Sequence, residues 1–251
     1  MTHPIGIDFG GSGIKAAPVD LIMGEFSADR ERIDTPAQSS PKAVAKVMAE
    51  LLERFPQSSS AVGVTIPGVV RKGGVVASAA NIDKSWIGTD ADDLLSEHLG
   101  REVHVINDAD AAGLAEEKFG AGRDNSGVIV LLTFGTGIGS AVIHNGVLLP
   151  NTEFGHLEVG GKEAEHRAAS SIKEKKGWSY ERWTKEVTSV LIAIENAIWP
   201  DLFIAGGGIS RKAEKWIPLL KNRTPVVAAA LLNTAGIVGA AMAADVDATA
   251  R

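Results

Sequence analysis

Short apolar runs alternate with longer amphipathic segments along this chain. Apolar runs, several of them rich in β-branched residues, predict buried strands at residues 5–9, 14–19, 61–66, 103–106, 128–134 and 202–205. Apolar residues three and four positions apart predict helices at residues 41–55, 89–99 and 183–198, and a small apolar helix is predicted at 235–245. This alternation is typical of an α/β protein in which helices cover sheets.

One uncharged stretch, residues 125–152, is long enough to suggest a membrane span. Its repeated glycines and the turn residues His144, Asn145 and Gly146 instead favour two strands and a tight turn. We therefore expect no contact with a membrane.

Composition narrows the possible functions. The chain has 251 residues, 45% of them hydrophobic, which is enough for one large core or two modest ones. The formal net charge of −6 provides no general attraction for nucleic acid, so we expect none as a partner. Cysteine is absent, which excludes thiol catalysis and thiolate-bound zinc and suits a reducing compartment. The first residues lack the features of a signal peptide, and we expect a cytoplasmic protein.

Two glycine-rich turns each join a pair of predicted strands. In the first, Gly10, Gly11, Ser12 and Gly13 lack bulky side chains, so their backbone N–H groups can approach a phosphate. The second turn spans residues 135–139 and repeats this arrangement in the other half of the chain. Neither has the spacing of a Walker loop or a dinucleotide fingerprint. Asp8, directly before the first turn, could hold a hydrated Mg²⁺ against bound phosphates.

Asn107 and Asp108 follow the strand predicted at residues 103–106 and precede a predicted helix. Open α/β sheets bind ligands at such strand ends. A plain alternative is that Asp108 only caps the helix.

Three further polar residues are candidates for binding a hydroxylated ligand. Glu153 and His156 flank a glycine, so a carboxylate and an imidazole can converge on one hydroxyl-bearing molecule. Asn81 offers an amide for the same purpose, although it is equally a common turn residue.

The last third of the chain contains two patterns with open interpretations. The apolar face of the helix at 183–198, which includes Ala197, indicates either core or a subunit interface. Gly206, Gly207 and Gly208 precede a helix predicted at residues 211–220, a position that suits an anion or a flat base.

Taken together, these motifs resemble those of the ROK family of sugar kinases. The resemblance runs through nearly the whole chain and is carried by residues 8–15, 81–86, 107–109, 135–139, 153–156 and 206–210. It implies an actin-like/hexokinase (ribonuclease H-like) α/β fold, with two lobes and a cleft between them. We expect residues 1–108 with the returning helix 236–251 in one lobe, and 109–235 in the other.

The resemblance also implies a role for each candidate residue. Asp108 would be the general base on the 6-hydroxyl of glucose. Sugar contacts would come from Gly68, Asn81, Asn107, Glu153, His156 and Glu165. Phosphates and nucleotide would be held by Asp8, Gly10, Gly11, Ser12, Gly13, Lys15, Thr136, Gly137, Gly207 and Gly208, with Mg²⁺ as cofactor. Most members have a cysteine-rich zinc site after the Gly-His pair, but residues 160–165 contain no cysteine here, so we expect no structural zinc.

This departure and the compact length point to the branch of the family that phosphorylates glucose, and sometimes mannose, from inorganic polyphosphate and often ATP. The family resemblance also implies a homodimer. Residues 162–185 form the most basic segment of an acidic chain. Either these residues form a solvated helix face, or the basic stretch Lys162–Lys185, with Lys15 and Lys84, lines a track for polyphosphate, in which Lys173, Lys175 and Lys176 are the lysines to test.

Three other functions fit parts of the pattern. An enzyme on the same fold could use ATP alone. A sugar-sensing repressor would need a DNA-binding helix-turn-helix, for which we expect no room before the strand at residue 5. A silent sugar-binding protein would not need the carboxylate of Asp108.

Overall fold

The computed structural model describes residues 3–56 and 61–245, which form two compact units. The first unit runs to Ala115 and resumes at Thr234, and the second contains Glu116–Asn233. The helix that follows Asp108 therefore belongs to the first unit as far as Ala115. Residues 246–251 of the predicted returning helix lie outside the described residues.

The elements of the first unit come first in the chain. They are β1 (Ile5–Phe9), β2 (Ile14–Asp20), β3 (Glu25–Phe26), β4 (Glu31–Ile33), α1 (Pro41–Leu52), β5 (Val62–Ile66), β6 (Val70–Arg71), β7 (Val75–Val76), α2 (Ala91–Leu99), β8 (Val103–Asn107) and α3 (Asp108–Phe119). The second unit contains β9 (Val128–Phe134), β10 (Ile138–His144), β11 (Val147–Leu149), α4 (Ala164–Ala168), α5 (Ser170–Lys175), α6 (Tyr180–Ile198), β12 (Leu202–Gly206) and β13 (Val226–Ala228). The chain ends with α7 (Ala235–Ala244), which packs in the first unit.

The first sheet has the strand order β3-β2-β1-β5-β8, with β4 also paired to β2. Strands β1, β5 and β8 are parallel, and their register pairs Asp8 with Thr65 and Ile66 with Asn107. The carboxyl ends of these three strands therefore meet at one edge of the sheet. The glycine-rich turn after β1 and Asp108 after β8 both lie at this edge.

Helix α7 approaches this sheet at backbone distance. A Cβ atom on Gly63 would overlap the carbonyl oxygen of Ala240, and one on Gly6 would overlap that of Ile237. Gly239 of α7 similarly faces the carbonyl of Ala111 in α3. The prediction that a small apolar C-terminal helix packs on a sheet is confirmed.

The second sheet has the order β11-β10-β9-β12-β13, and β9 and β12 are parallel. Its core contains three fully buried aromatic residues, Phe134, Trp183 and Trp216, whose ring centroids lie 5.0–5.8 Å apart in edge-to-face arrangements. Helix α6 contributes Trp183, Val187 and Ile194 to this core, which confirms the core interpretation of its apolar face. Ala197 is exposed, so its assignment to that face was wrong.

The prediction of a helix at residues 211–220 was also wrong. Two 3₁₀ segments, Gly208–Lys215 and Ile217–Leu219, occupy this part of the chain. The first is kinked at Lys212, where φ is −119°, and Pro218 lies inside the second. A proline cannot donate a backbone hydrogen bond within a helix, so a continuous α-helix does not form.

The uncharged stretch at 125–152 forms strands β9, β10 and β11. The predicted strands are confirmed, and there is one more than the two that were expected. Among the residues that the structure describes, no helix combines the length and the apolar character that crossing a membrane requires.

The contact between β5 and α7 predicts a large effect of a single methyl group. We expect Gly63→Ala to lower the free energy of unfolding by about 3 kcal/mol or more, because the new Cβ meets backbone that cannot rotate away. Urea denaturation followed by circular dichroism measures this loss. The control is Gly73→Ala, which has open space around it but a φ of +83°, and should cost about 1 kcal/mol. A loss for Gly63→Ala no larger than that of the control would contradict the packing.

Candidate active site

Asp8 lies at the edge of the first sheet in a small polar network. Its Oδ2 accepts from Lys15 Nζ at 2.8 Å, and its Oδ1 accepts from Thr65 Oγ1 at 3.2 Å. The same threonine oxygen accepts the backbone N–H of Phe9 at 3.1 Å. Both side chains of the Asp8–Lys15 pair are about a quarter exposed. The pair is therefore held in place and still open to a ligand.

Some residues of the turn Gly10–Gly13 hold its shape, and others are accessible to a ligand. The N–H of Gly10 donates to the carbonyl of Gly13 at 3.1 Å, so it closes the turn and is not available for a phosphate. Thr35 Oγ1 donates to the carbonyl of Gly10 at 2.6 Å and fixes the turn from outside. Gly11 and Ser12 are exposed and form the tip. Of the predicted phosphate ligands in this turn, these two are the accessible ones.

Arg32 is a cation at this turn that the sequence analysis missed. Its Nη2 donates to the carbonyl of Ser12 at 2.9 Å, and its Nη1 pairs with Asp34 at 2.7 Å. The guanidinium lies where a Cβ atom on Gly13 would be, so a larger residue there would displace the arginine side chain. The contact arises because β4 pairs with β2 and sets Arg32 opposite Lys15. No local signal in the sequence indicates this pairing.

Asn107, not Asp108, caps helix α3. Its Oδ1 accepts the backbone N–H groups of Ala109 at 2.8 Å and Asp110 at 2.9 Å. Its Nδ2 donates to the carbonyl of Gly68 at 3.0 Å, and the residue is 7% exposed. The carboxylate of Asp108 accepts only the adjacent N–H of Ala109 among these capping bonds and is exposed at the strand end. The capping role that was the plain alternative for Asp108 is therefore performed by Asn107.

Asn81 and Gly68 lie close to these groups in the first unit. Asn81 has a φ of 61°, and its backbone oxygen and Cβ lie against Gly11 at the tip of the turn. Gly68 is buried, and a Cβ there would overlap the carbonyl of Ser78. The structure thus brings Asn81 to the glycine-rich turn and joins Gly68 to Asn107.

In the second unit, two histidines and three glutamates form an acidic cluster. His156 lies between two of the carboxylates, with Nε2 3.7 Å from Glu153 and Nδ1 3.6 Å from Glu163. His166 lies 3.3 Å from Glu163 and 3.9 Å from Glu165. Glu165, a predicted sugar ligand, is therefore placed with Glu153 and His156. Glu163 and His166 were missed, although Glu163 belongs to the same polar stretch of sequence.

Burial raises the pKa of the Glu153 carboxyl above its ordinary value. The nearby imidazole of His156 lowers that pKa again in part, and the charge of Glu165 adds to the increase. Ligand atoms of His156, Glu163 and Glu165 all lie within 4.8 Å of one another, so oxygen and nitrogen donors of a kind that can bind a cation are grouped here.

The second glycine-rich turn connects this cluster to a cavity. At one end, Glu165 Oε2 accepts the N–H of Ile138 at 3.4 Å and occupies the space that a Cβ on Gly137 would need. At the other end, the hydroxyls of Ser170 and Ser171 donate to the carbonyls of Gly135 at 3.0 Å and Thr136 at 2.7 Å. The turn is therefore anchored by α5 and by Glu165.

We call the cavity beside this turn the Thr136 cavity. It has a volume of about 490 Å³, within the range of sites for small molecules. Its walls are formed by Gly135, Thr136, Ser170, Ser171, Lys173, Glu174, Tyr180, Gly208, Ile209 and Lys212. Gly207, next to the wall, has a φ of +80°, and a Cβ there would overlap the backbone of Phe134. Of the predicted phosphate and nucleotide ligands, Thr136 and Gly208 line this cavity.

Comparison with known proteins identifies relatives of this chain. The ROK family model matches residues 4–168. Polyphosphate glucokinase of Mycobacterium tuberculosis (strain CDC 1551 / Oshkosh) is 66% identical over 248 residues, which are 98% of this chain and 93% of that protein. The corresponding protein of Mycobacterium leprae (strain TN) is 66% identical over 97% of this chain and 75% of its own length.

Solved structures agree with this relationship. The inorganic polyphosphate/ATP-glucomannokinase of Arthrobacter sp. strain KM superposes with a TM-score of 0.90 at 47% identity, covering 96% of this chain and 98% of that one. A ROK family glucokinase from Streptomyces griseus has the same fold, with a TM-score of 0.81 at 23% identity over 96% and 99% of the two chains. The predicted two-lobed α/β sugar-kinase fold is confirmed. By its motifs, its fold and these relatives, the chain belongs to the ROK family.

Proposed function

We propose that this chain transfers a phosphoryl group from inorganic polyphosphate, and also from ATP, to the 6-hydroxyl of glucose. The observation that carries the proposal is the exposed carboxylate of Asp108 at the end of β8, where Asn107 has taken over the capping of α3. The 66% identity to polyphosphate glucokinases supports the choice of donor. The 47% identity to a polyphosphate/ATP-glucomannokinase supports the use of ATP and the acceptance of mannose.

Asp108 acts as the general base. Phosphoryl transfer requires the attacking hydroxyl to be aligned and to lose its proton as the new P–O bond forms. An exposed carboxylate at the end of a strand is suited to accept that proton. The side-chain nitrogen of Asn107, Nδ2, carries two N–H groups. One donates to the carbonyl of Gly68, so the second can donate to a sugar oxygen.

Further polar groups are the proposed contacts to the sugar. Asn81 and the backbone at Gly68 serve hydroxyls in the first unit. Glu153 and Glu165 accept hydrogen bonds from sugar hydroxyls, and His156 donates or accepts one. The crowded carboxylates keep their charge best when they accept such bonds, because hydroxyl donors offset the repulsion between them.

The two glycine-rich turns bind the donor phosphates. The exposed N–H groups at Gly11 and Ser12 and the cations Lys15 and Arg32 suit a phosphate in the first unit. In the second unit, Thr136 and Gly137 bind phosphates, and Gly207 and Gly208 adjoin the nucleoside of ATP. This assignment of ligands is part of the proposal.

Asp8 is suited to hold a hydrated Mg²⁺. Each of its carboxylate oxygens accepts one hydrogen bond from the protein, which leaves lone pairs for metal-bound water. When bound, the ion neutralises charge on the donor phosphates. The homodimer and the cytoplasmic location also remain predictions from the sequence.

The proposal is tested by incubating the purified chain with glucose, Mg²⁺ and either polyphosphate or ATP, and measuring glucose 6-phosphate. Product from both donors is expected. Product from ATP alone would favour the ATP-dependent alternative, and no product from either donor would favour a sugar-binding protein without catalytic activity. Mannose in place of glucose tests the wider acceptor range.

Replacing the proposed base separates chemistry from binding. We expect Asp108→Asn to lower kcat by at least about 100-fold, since the loss of an aligned general base commonly costs two to four orders of magnitude. Glucose affinity, measured by calorimetry, should stay within a few-fold, because the amide retains the shape of the side chain. Asp124→Asn, in an exposed turn of the second unit, is the matched control. Near-normal turnover in Asp108→Asn would remove this residue from the mechanism.

The raised pKa of Glu153 predicts how glucose binding depends on pH. The ionised carboxylate is the better hydrogen-bond acceptor, so protonation weakens binding as the pH falls through its pKa. Because burial raises that pKa, KM for glucose should begin to rise at a higher pH than an ordinary glutamate would cause. Steady-state assays between pH 5 and 8 measure this, and Glu153→Gln should have a higher KM with a flatter profile. The same pH dependence in Glu153→Gln would assign it to another group.

A further inference from the structure

The Thr136 cavity has two lysines on its walls whose charges are not neutralised by the protein. Lys173 is partly buried and Lys212 is exposed. Among the residues that the structure describes, neither ammonium lies within 4.0 Å of a carboxylate oxygen. The acidic side chain on the cavity wall, Glu174, is exposed and makes no ion pair with them. The cavity therefore offers two positive charges to an incoming anion.

Lys173 is held in position by its surroundings. Its Nζ lies 4.3 Å from the centroid of the Tyr180 ring, a cation–π contact. It is on α5, two residues after Ser171, whose hydroxyl and backbone N–H bind the carbonyls of Thr136 and Gly135. The helix that carries Lys173 is thus hydrogen-bonded to the turn that is proposed to bind the transferred phosphate. An aromatic face attracts the cation without neutralising it, so its charge remains available.

Lys212 is placed by the kink in the 3₁₀ segment. Gly208 on the cavity wall begins this segment, and the chain bends at Lys212 itself. At Lys212 the backbone dihedral angles are not helical, in contrast to the straight α-helix predicted from the sequence. Lys212, at this kink, is the second cation on the cavity wall.

The other walls of the cavity have a different character. Ile209 and the ring of Tyr180 provide apolar surface, which suits a flat nucleoside base, whereas a chain of phosphates needs cations along its length. One cavity thus combines surfaces for both kinds of donor. A polyphosphate chain carries a negative charge on every unit, so it gains more from the two lysines than a nucleoside does.

We propose that Lys173 and Lys212 determine specificity for polyphosphate by binding the phosphate units next to the one being transferred. The chain of phosphates then occupies the cavity that receives the nucleoside of ATP, so the two donors exclude each other. This inference rests on the proposed function and adds to it the residues that distinguish the donors. It keeps only Lys173 from the broad basic track predicted from the sequence and adds Lys212, which lies outside that track.

The test compares the two donors in one set of variants. We expect Lys173→Ala/Lys212→Ala to lower kcat/KM for long-chain polyphosphate at least 10-fold more than kcat/KM for ATP. The dependence of polyphosphate kcat/KM on salt concentration should also become shallower, because fewer cations attract the polyanion. The matched control is Lys42→Ala/Lys46→Ala, which removes two exposed cations from α1 in the first unit. Circular dichroism verifies that each variant is folded.

Four results would overturn the inference. One is an equal loss of kcat/KM with both donors in Lys173→Ala/Lys212→Ala. Another is a loss of kcat/KM for polyphosphate in Lys42→Ala/Lys46→Ala as large as in Lys173→Ala/Lys212→Ala. The third is an equally selective loss in Lys175→Ala/Lys176→Ala, which would favour the broader basic track predicted from the sequence.

The fourth concerns the shared cavity. A non-hydrolysable ATP analogue should inhibit the polyphosphate reaction competitively, and non-competitive inhibition would exclude a shared cavity. If wild-type protein forms no product from polyphosphate, the proposed function fails before this comparison begins.

Discussion

The parallel pairing of β1, β5 and β8 is the constraint on which the first half of the site depends. Its register brings three strand ends to one edge, so that residues far apart in sequence, Asp8, Thr65 and Asn107, become neighbours. The pairing is backed by α7, which reaches the sheet because Gly6 and Gly63 have no side chains. A larger residue at either position would push the helix away and disturb the edge that carries Asp108.

Two adjacent residues at that edge, Asn107 and Asp108, have different surroundings. A strand end followed by a helix always has backbone N–H groups that need acceptors. Asn107 supplies both acceptor and donor through its amide, and it does so while buried. Asp108 accepts the adjacent N–H of Ala109 and is exposed at the same edge. A buried amide and an exposed carboxylate therefore stand side by side.

In the second unit, a single turn separates two opposite electrostatic environments. Toward Gly137 lies the acidic cluster of Glu153, Glu163 and Glu165, which suits neutral hydroxyls that donate hydrogen bonds. Toward Gly135 lies the cavity with Lys173 and Lys212, which form no ion pair with any residue that the structure describes. The turn is held from both sides, by a glutamate and by two serines. The two sides of the turn therefore suit ligands of opposite character.

By itself, the sequence determined the main strands and helices and the position of the glycine-rich turns, because these depend on local hydrophobic patterns and on residues without side chains. It also indicated Asp108 as a candidate, since a carboxylate after a buried strand is a local signal. Only the tertiary structure decided that Asn107 performs the capping, that Arg32 reaches the first turn and that Lys212 lines the cavity. The hydrogen bond from Asn107 to Gly68 and the pairing of β4 with β2 join distant segments, and Lys212 lies in a kinked 3₁₀ segment where the sequence predicted a helix, so no local pattern records these contacts.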